Sequence, residues 1–188
     1  MINQPGVLDS TPAQRKNERF FLVMYKFSIV HLLSLFLFTV LFVVLGDWGM
    51  VWTTAVCTIF WFFVYVNYQK NQNRLLFNLG GFITTAFAII ATLNYGWESG
   101  FYFLVLSVLP LTFLNIPSRK VAAILMGLML GGAVVALFIA SLTYPPTIQL
   151  SREVSTGIFF ANLLWCIISL AVIGYFFEKG AAATEASL

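Results

Sequence analysis

The chain has 188 residues, of which 60% are hydrophobic and only 9% charged, with a mean hydropathy of +0.91. A soluble domain of this size needs about a quarter of its residues charged. The composition therefore excludes a soluble enzyme, a nucleic-acid binder, a disulfide-stapled secreted domain and a disordered regulator. The formal charge of +3 rests on ten Lys and Arg, so their placement carries more information than their sum.

Residues 1–18 are polar, carry Pro5 and Pro12 and have no apolar centre, so they do not read as a cleavable signal peptide. Six stretches then meet or approach the ~20 apolar residues needed to cross a bilayer. They run over residues 20–45, 50–68, 75–95, 100–116, 121–143 and 154–177. Period-two alternation is absent, which argues against a β-barrel. The expected fold is an all-α integral membrane bundle of six transmembrane helices. It forms one domain, with residues 1–19 before it and 178–188 after it.

Turn chemistry separates the spans. Gly46-Asp47-Trp48-Gly49 follows the first, and the polar Gln69–Arg74 segment follows the second. Gly96-Trp97-Glu98-Ser99-Gly100 makes a tight hairpin between the third and fourth. Pro117–Lys120 and Tyr144-Pro145-Pro146 close the fourth and fifth. Links this short make sequence neighbours antiparallel neighbours. Six spans place Arg15, Lys16, Arg19, Lys26, Lys70, Arg74, Arg119, Lys120 and Lys179 on one side and Arg152 alone on the other. The positive-inside bias then assigns both termini to the cytoplasm and the chain to the inner (cytoplasmic) membrane.

Ionisable and amide groups inside spans are functional candidates because hydrocarbon makes them costly. His31 is the single histidine, flanked by Ser28 and Ser34. It reads either as a neutral imidazole hydrogen-bonded within the bundle or as a ligand contact. Lys26, near the cytoplasmic face, is expected to snorkel. Asn162 falls in the sixth span toward the outer leaflet, where interhelical hydrogen bonding is the ordinary role of an amide. Trp97 and Glu98 read as an interfacial anchor and a loop cap, or as parts of a pocket with Tyr102. Gly127 and Gly131 form a GxxxG, Gly132 starts a second stripe of small residues, and Gly80 starts a third with Thr84, Ala88 and Thr92. All are expected to be packing seams within the bundle. Pro110 is expected to kink the fourth helix.

Catalytic signatures are missing from the sequence. There is no HExxH, no Cys/His cluster, no phosphate-binding glycine loop and no intramembrane carboxylate pair, so neither metal nor cofactor is expected. Cys57 and Cys166 lie in apolar runs and read as small hydrophobes.

His31 in the first span, the polar loop after the second, and the run Tyr95–Phe103 leading into Leu109–Leu114 carry a resemblance. The chain resembles the six-helix membrane-associated sensor (MASE-like) domains found before bacterial diguanylate (GGDEF) cyclases and class III adenylate cyclases. The most specific part is the Gly-Trp-Glu-Ser-Gly hairpin. The tail Ala183–Leu188 is similar to the opening of the signalling helix that joins such anchors to a cyclase. The resemblance implies a homodimer whose sixth helices pair and relay changes in the bundle to a cytoplasmic cyclase domain. An apolar or amphipathic ligand entering from the lipid is the expected input, with His31, Trp97, Glu98, Tyr102 and Asn162 as its candidate contacts. A small transporter or channel subunit, or a scaffold without ligand, is the alternative; scarcity of intramembrane charge counts against a transporter.

Overall fold

The computed structural model describes the backbone of residues 12–71, 74–115 and 120–185, and side chains over most of that range from Val23 to Glu178. Residues 1–11, 72–73, 116–119 and 186–188 lie outside the described residues, and with them the expected break at Pro117-Ser118-Arg119. The described residues form six α-helices: α1 (Pro12–Leu45), α2 (Trp48–Asn71), α3 (Arg74–Tyr95), α4 (Phe103–Asn115), α5 (Lys120–Thr143) and α6 (Arg152–Glu185). A 3-10 turn at Trp97–Ser99 precedes α4, and there is no strand among the described residues.

Local chemistry explains the boundaries. Proline suits the first position of α1, where its missing N–H is not needed. α1 ends at Gly46, whose φ of 72° lies in the left-handed region. Gly46 N donates to Val43 O at 3.1 Å and Asp47 N to Phe42 O at 3.0 Å, the paired bonds of a Schellman cap. Asp47 then opens α2 at once, its side chain accepting the Met50 N–H at 3.0 Å. A turn of two residues thus satisfies both helix ends.

Within the polar Gln69–Arg74 stretch, the described residues differ from their expected form as a loop. α2 continues through Gln69, Lys70 and Asn71, and α3 begins at Arg74. Nothing there resembles a Gly or Pro breaker, so the backbone keeps its helical hydrogen bonds beyond the apolar stretch. α4 is likewise shorter than its span. It has 13 residues, roughly 20 Å of rise, and runs through Pro110 without interruption of the helix.

Among the described residues three helices are long and apolar enough to cross a membrane: Val23–Leu45, Trp48–Asn67 and Arg152–Glu178. Gly127–Thr143 is a shorter apolar helix. The outer surface of the bundle is itself apolar, with Trp52 71% and Leu142 72% exposed. In water such a surface would drive aggregation, whereas lipid tails solvate it. The fold is an all-helical one suited to a bilayer.

α1 is the central helix, packed against α2 on one flank and α6 on the other. Its Phe38 and Phe42 meet Phe87 and Tyr95 of α3 and Phe101 before α4, with ring centroids 5.5–6.3 Å apart. Offset and edge-on rings at these separations pack efficiently. α6 runs antiparallel to α1. Its Phe176 lies under Lys26, 5.9 Å from Nζ to the ring centroid, near the start of α1. Its Asn162 instead meets Ser99, beside the Phe101 that packs against the far end of α1.

The small-residue seams divide. Gly80 packs as expected of a close approach: a Cβ there would stand 2.9 Å from Trp61 Cζ2. Gly131 and Gly132 do not. A Cβ at either meets nothing within 4 Å, so neither marks a close approach inside this chain; Gly131 is half-buried, and Gly132 is exposed with Ala136 of its stripe.

Candidate functional site

Two polar constellations sit in the apolar bundle. The first is at mid-bundle. His31 is 1% exposed, its ring tilted against Trp61 with centroids 4.5 Å apart and stacked near Phe27 at 5.4 Å. Thr84 of α3 ties these residues together. The Trp61 Nε1–H donates to Thr84 Oγ1 at 3.1 Å, and the same oxygen lies 2.9 Å from His31 Nε2. Close approach makes this possible, because Gly80, one turn before Thr84, lets the indole lie against the α3 backbone. The result joins α1, α2 and α3 through one hydroxyl. It matches the hydrogen-bonded reading of His31 at Nε2, while Nδ1 has no partner.

The second constellation is the hairpin between α3 and α4. Gly96 and Gly100 bracket the turn at φ 85° and 73°. Gly100 is in the left-handed region with Phe159 Cδ2 only 3.1 Å from where a Cβ would be, so both conformation and space call for glycine. The turn stacks Trp97 flat on Tyr102, centroids 3.8 Å and planes 9° apart, and Phe138 of α5 meets Trp97 edge-on at 4.9 Å. Ser99 is fully buried, and its carbonyl accepts the Asn162 Nδ2–H at 2.9 Å. Irregular backbone inside a membrane protein needs such a partner, since lipid offers none. Glu98 stands exposed at the tip.

Of the candidate ligand contacts, Trp97, Tyr102 and Asn162 are therefore brought around one turn with Glu98 at its edge. His31 is not with them. It lies eleven residues before Phe42, which stacks on Tyr95 at the level of the hairpin, a separation of roughly 16 Å along α1.

Asp47 makes a third tie. While one carboxylate oxygen caps α2, the other accepts the Tyr95 hydroxyl at 2.6 Å. The 144–151 loop is drawn to the same end by Ile148 N donating to Asn94 O at 2.8 Å. This end of the bundle is thereby held by bonds among the α1–α2 turn, α3, the hairpin, the 144–151 loop and α6.

Among the described residues, five buried polar atoms remain without a hydrogen-bond partner: His31 Nδ1, Ser34 Oγ, Asn162 Oδ1, Trp165 Nε1 and Ser169 Oγ. Each such group costs about 1–3 kcal/mol in an apolar interior. Sequence reasoning missed Ser34, Trp165 and Ser169 as a set, along with Thr84, Trp61, Asp47 and Tyr95. One signal was available for the tryptophans. Trp favours the membrane interface, and both Trp61 and Trp165 fall well inside their spans.

The Thr84 hydroxyl and the His31 imidazole do meet, but both are buried between three helices, Thr84 also accepts from Trp61, and no third group at Nδ1 orients the ring. Among the described residues no three of His, Cys, Asp and Glu converge as metal ligands would. The arrangement provides neutral hydrogen-bonding groups within apolar walls, which suits binding. Comparisons with protein-family models, with curated proteins and with solved structures find no match to this chain.

Proposed function

We propose that the chain is the sensory and regulatory membrane domain of a nucleotide cyclase, adenylate or diguanylate, acting as a homodimer paired through α6. Six crossings of the inner membrane with both termini in the cytoplasm accompany this reading, since they gather nine of the ten Lys and Arg on the cytoplasmic side. In it, α4 and the buried turn before it together make the shortest crossing.

The observation that supports it best is the outward face of α6. Gly157, Ala161, Leu164, Ile168, Ala171 and Tyr175 recur at alternating four- and three-residue steps, and every one is exposed. That is the spacing of a helix that pairs with its like, and small residues let two backbones approach in lipid. A Cβ on Gly157 or Gly174 meets nothing within 4 Å. α6 has 34 residues, roughly 51 Å, which exceeds the ~30 Å hydrocarbon core. Its excess length gives a rigid lever toward the cytoplasm. A ligand that favours one packing of α1 against α6 would shift the dimer between two arrangements.

The test is disulfide mapping in membranes. Single cysteines are placed along α6 after Cys57→Ala and Cys166→Ala. Crosslinked dimers are expected at positions 164, 168, 171 and 175 and not at the inward positions 162, 169 and 173. Absence of that periodicity overturns signalling through paired sixth helices and favours the scaffold or channel-subunit alternative. A diguanylate cyclase catalytic domain joined after Leu188 should, in turn, change its output when α6 is locked at 168.

A further inference from the structure

We infer that α1 and α6 form a binding site at mid-bundle for an uncharged, single-chain amphiphile bearing a hydroxyl or carbonyl, held by Ser34 and Ser169 at one depth with Trp165 one turn along α6. This deepens the sensor reading by naming its input, and it rests on that reading only for the consequence of binding.

The register comes from the two ends of the α1–α6 pair. Lys26 is level with Phe176, and Phe42 is level with the Phe101 turn that Asn162 holds. Ser34 is midway between Lys26 and Phe42, and Ser169 is midway between Asn162 and Phe176, so the two serines share one depth. Ser34 is also the central residue of the Val23–Leu45 span, which sets this depth near mid-membrane. On α6, Trp165 and Ser169 are one turn apart on the flank that carries Phe176, the flank turned to α1.

The hydroxyls at this depth behave unlike others in the bundle. Ser28, Thr54, Thr92 and Ser107 are as buried, and each donates to a carbonyl of its own helix at 2.7–2.9 Å. Ser34 and Ser169, 2% and 0% exposed, do not, and Trp165 Nε1, one turn along α6 from Ser169, and His31 Nδ1, about one turn along α1 from Ser34, are equally unpartnered. Ser34 and Ser169 share this level, with His31 about one turn to one side of it and Trp165 about one turn to the other, and buried polar atoms left unpaired in this way are hydrogen-bonding positions offered to something else.

Their chemistry specifies the ligand. An indole N–H only donates, so the ligand must accept; the two hydroxyls do either. No ion is provided for. The charged side chains of the two spans lie toward their ends, at Lys26, Arg152, Glu153 and Glu178. Lys26 is eight residues from Ser34, roughly 12 Å along the helix. An ordinary phospholipid keeps its headgroup at the interface, about 15 Å from the midplane. A ligand whose polar atom rests at the midplane has to be neutral and small-headed, such as a long-chain alcohol, ketone or ester.

The experiment uses the chain in phosphatidylcholine nanodiscs with a diazirine analogue of 1-tetradecanol, mapped by mass spectrometry. Saturable labelling is expected on α1 and α6 around residues 30–38 and 165–172. Excess 1-tetradecanol should compete, and tetradecane and tetradecanoate should not. Ser34→Ala with Ser169→Ala is expected to lower labelling at least tenfold while the protein melts no lower than the parent. Ser28→Ala, whose hydroxyl is already bonded, should label like the parent. If the double variant does not fold, Trp165→Phe tests the same set with the same expected loss. Unsaturable labelling spread over outward residues of all helices shows partition into lipid only and overturns the proposal. So does unchanged labelling in the variants. Because binding is read without any signalling output, its failure is distinct from a failure of α6 to pair.

Discussion

The Tyr95 hydroxyl donates to the Asp47 carboxylate at 2.6 Å, and this single bond joins the end of α3 to the turn between α1 and α2. The same carboxylate caps α2 through Met50 N, so the ring position and the helix start are coupled. Tyr95→Phe keeps the ring on Phe42 and removes only the hydroxyl. It is expected to cost about 1–2 kcal/mol. Asp47→Ala removes the cap as well and should cost more. A double-mutant cycle on reversible unfolding in mixed micelles measures the coupling, and an interaction near zero would contradict this account.

Thr84 is the oxygen shared by His31 and Trp61. Thr84→Val preserves shape and removes the hydroxyl, leaving His31 without a partner at either nitrogen. The expected loss is roughly 1–3 kcal/mol. Thr84→Ser retains the oxygen and should lose less than the valine variant. Equal losses for the two would mean that the methyl, not the hydrogen bond, matters.

Gly80 and Gly132 offer opposite outcomes for one substitution. At Gly80 a Cβ stands 2.9 Å from a ring that is itself fully buried and bonded to Thr84. Gly80→Ala should therefore destabilise by about 1–3 kcal/mol. Gly132→Ala meets nothing within 4 Å, and helix propensity favours alanine by about 1 kcal/mol. Unfolding midpoints of the two variants should move in opposite directions.

Asn162 secures the hairpin through the Ser99 carbonyl. Asn162→Leu should cost little globally, since such bonds average about 0.6 kcal/mol in membrane proteins. Its effect is local: amide exchange over residues 97–103 is expected to accelerate while α2 is unchanged. Gly100→Ala, strained at φ 73° and crowded by Phe159, should produce the larger loss in the same region. Faster exchange throughout the bundle in Asn162→Leu would refute a local role.

Much of the helix layout was legible without coordinates. Apolar stretches bounded by Gly46-Asp47, Gly96–Gly100 and Tyr144–Pro146 correspond to helices, because hydrocarbon leaves a backbone few alternatives to internal hydrogen bonding. Boundaries were less legible wherever polar residues follow an apolar run. Gln69 to Asn71 extend α2, since polarity ends a membrane span but does not end a helix. The Gly-Trp-Glu-Ser-Gly turn was visible as a turn. Its flat Trp97–Tyr102 stack and its support by Asn162, sixty-three residues away, were not.

Composition alone determined the solvent this protein is built for, and spacing alone determined where its chain turns. Both are local properties, set by the hydropathy of consecutive residues and by the few residue types that tolerate a tight turn. Which face of each helix is turned inward was decided only by tertiary packing. In a chain that is apolar all round, sequence periodicity does not mark the buried side. Thr84 under His31, Ser34 level with Ser169, and Gly132 facing outward instead of inward all follow from how the helices rotate against one another. That rotation is set by ring packing and by the pairing of a few polar atoms, contacts made between residues far apart in the chain.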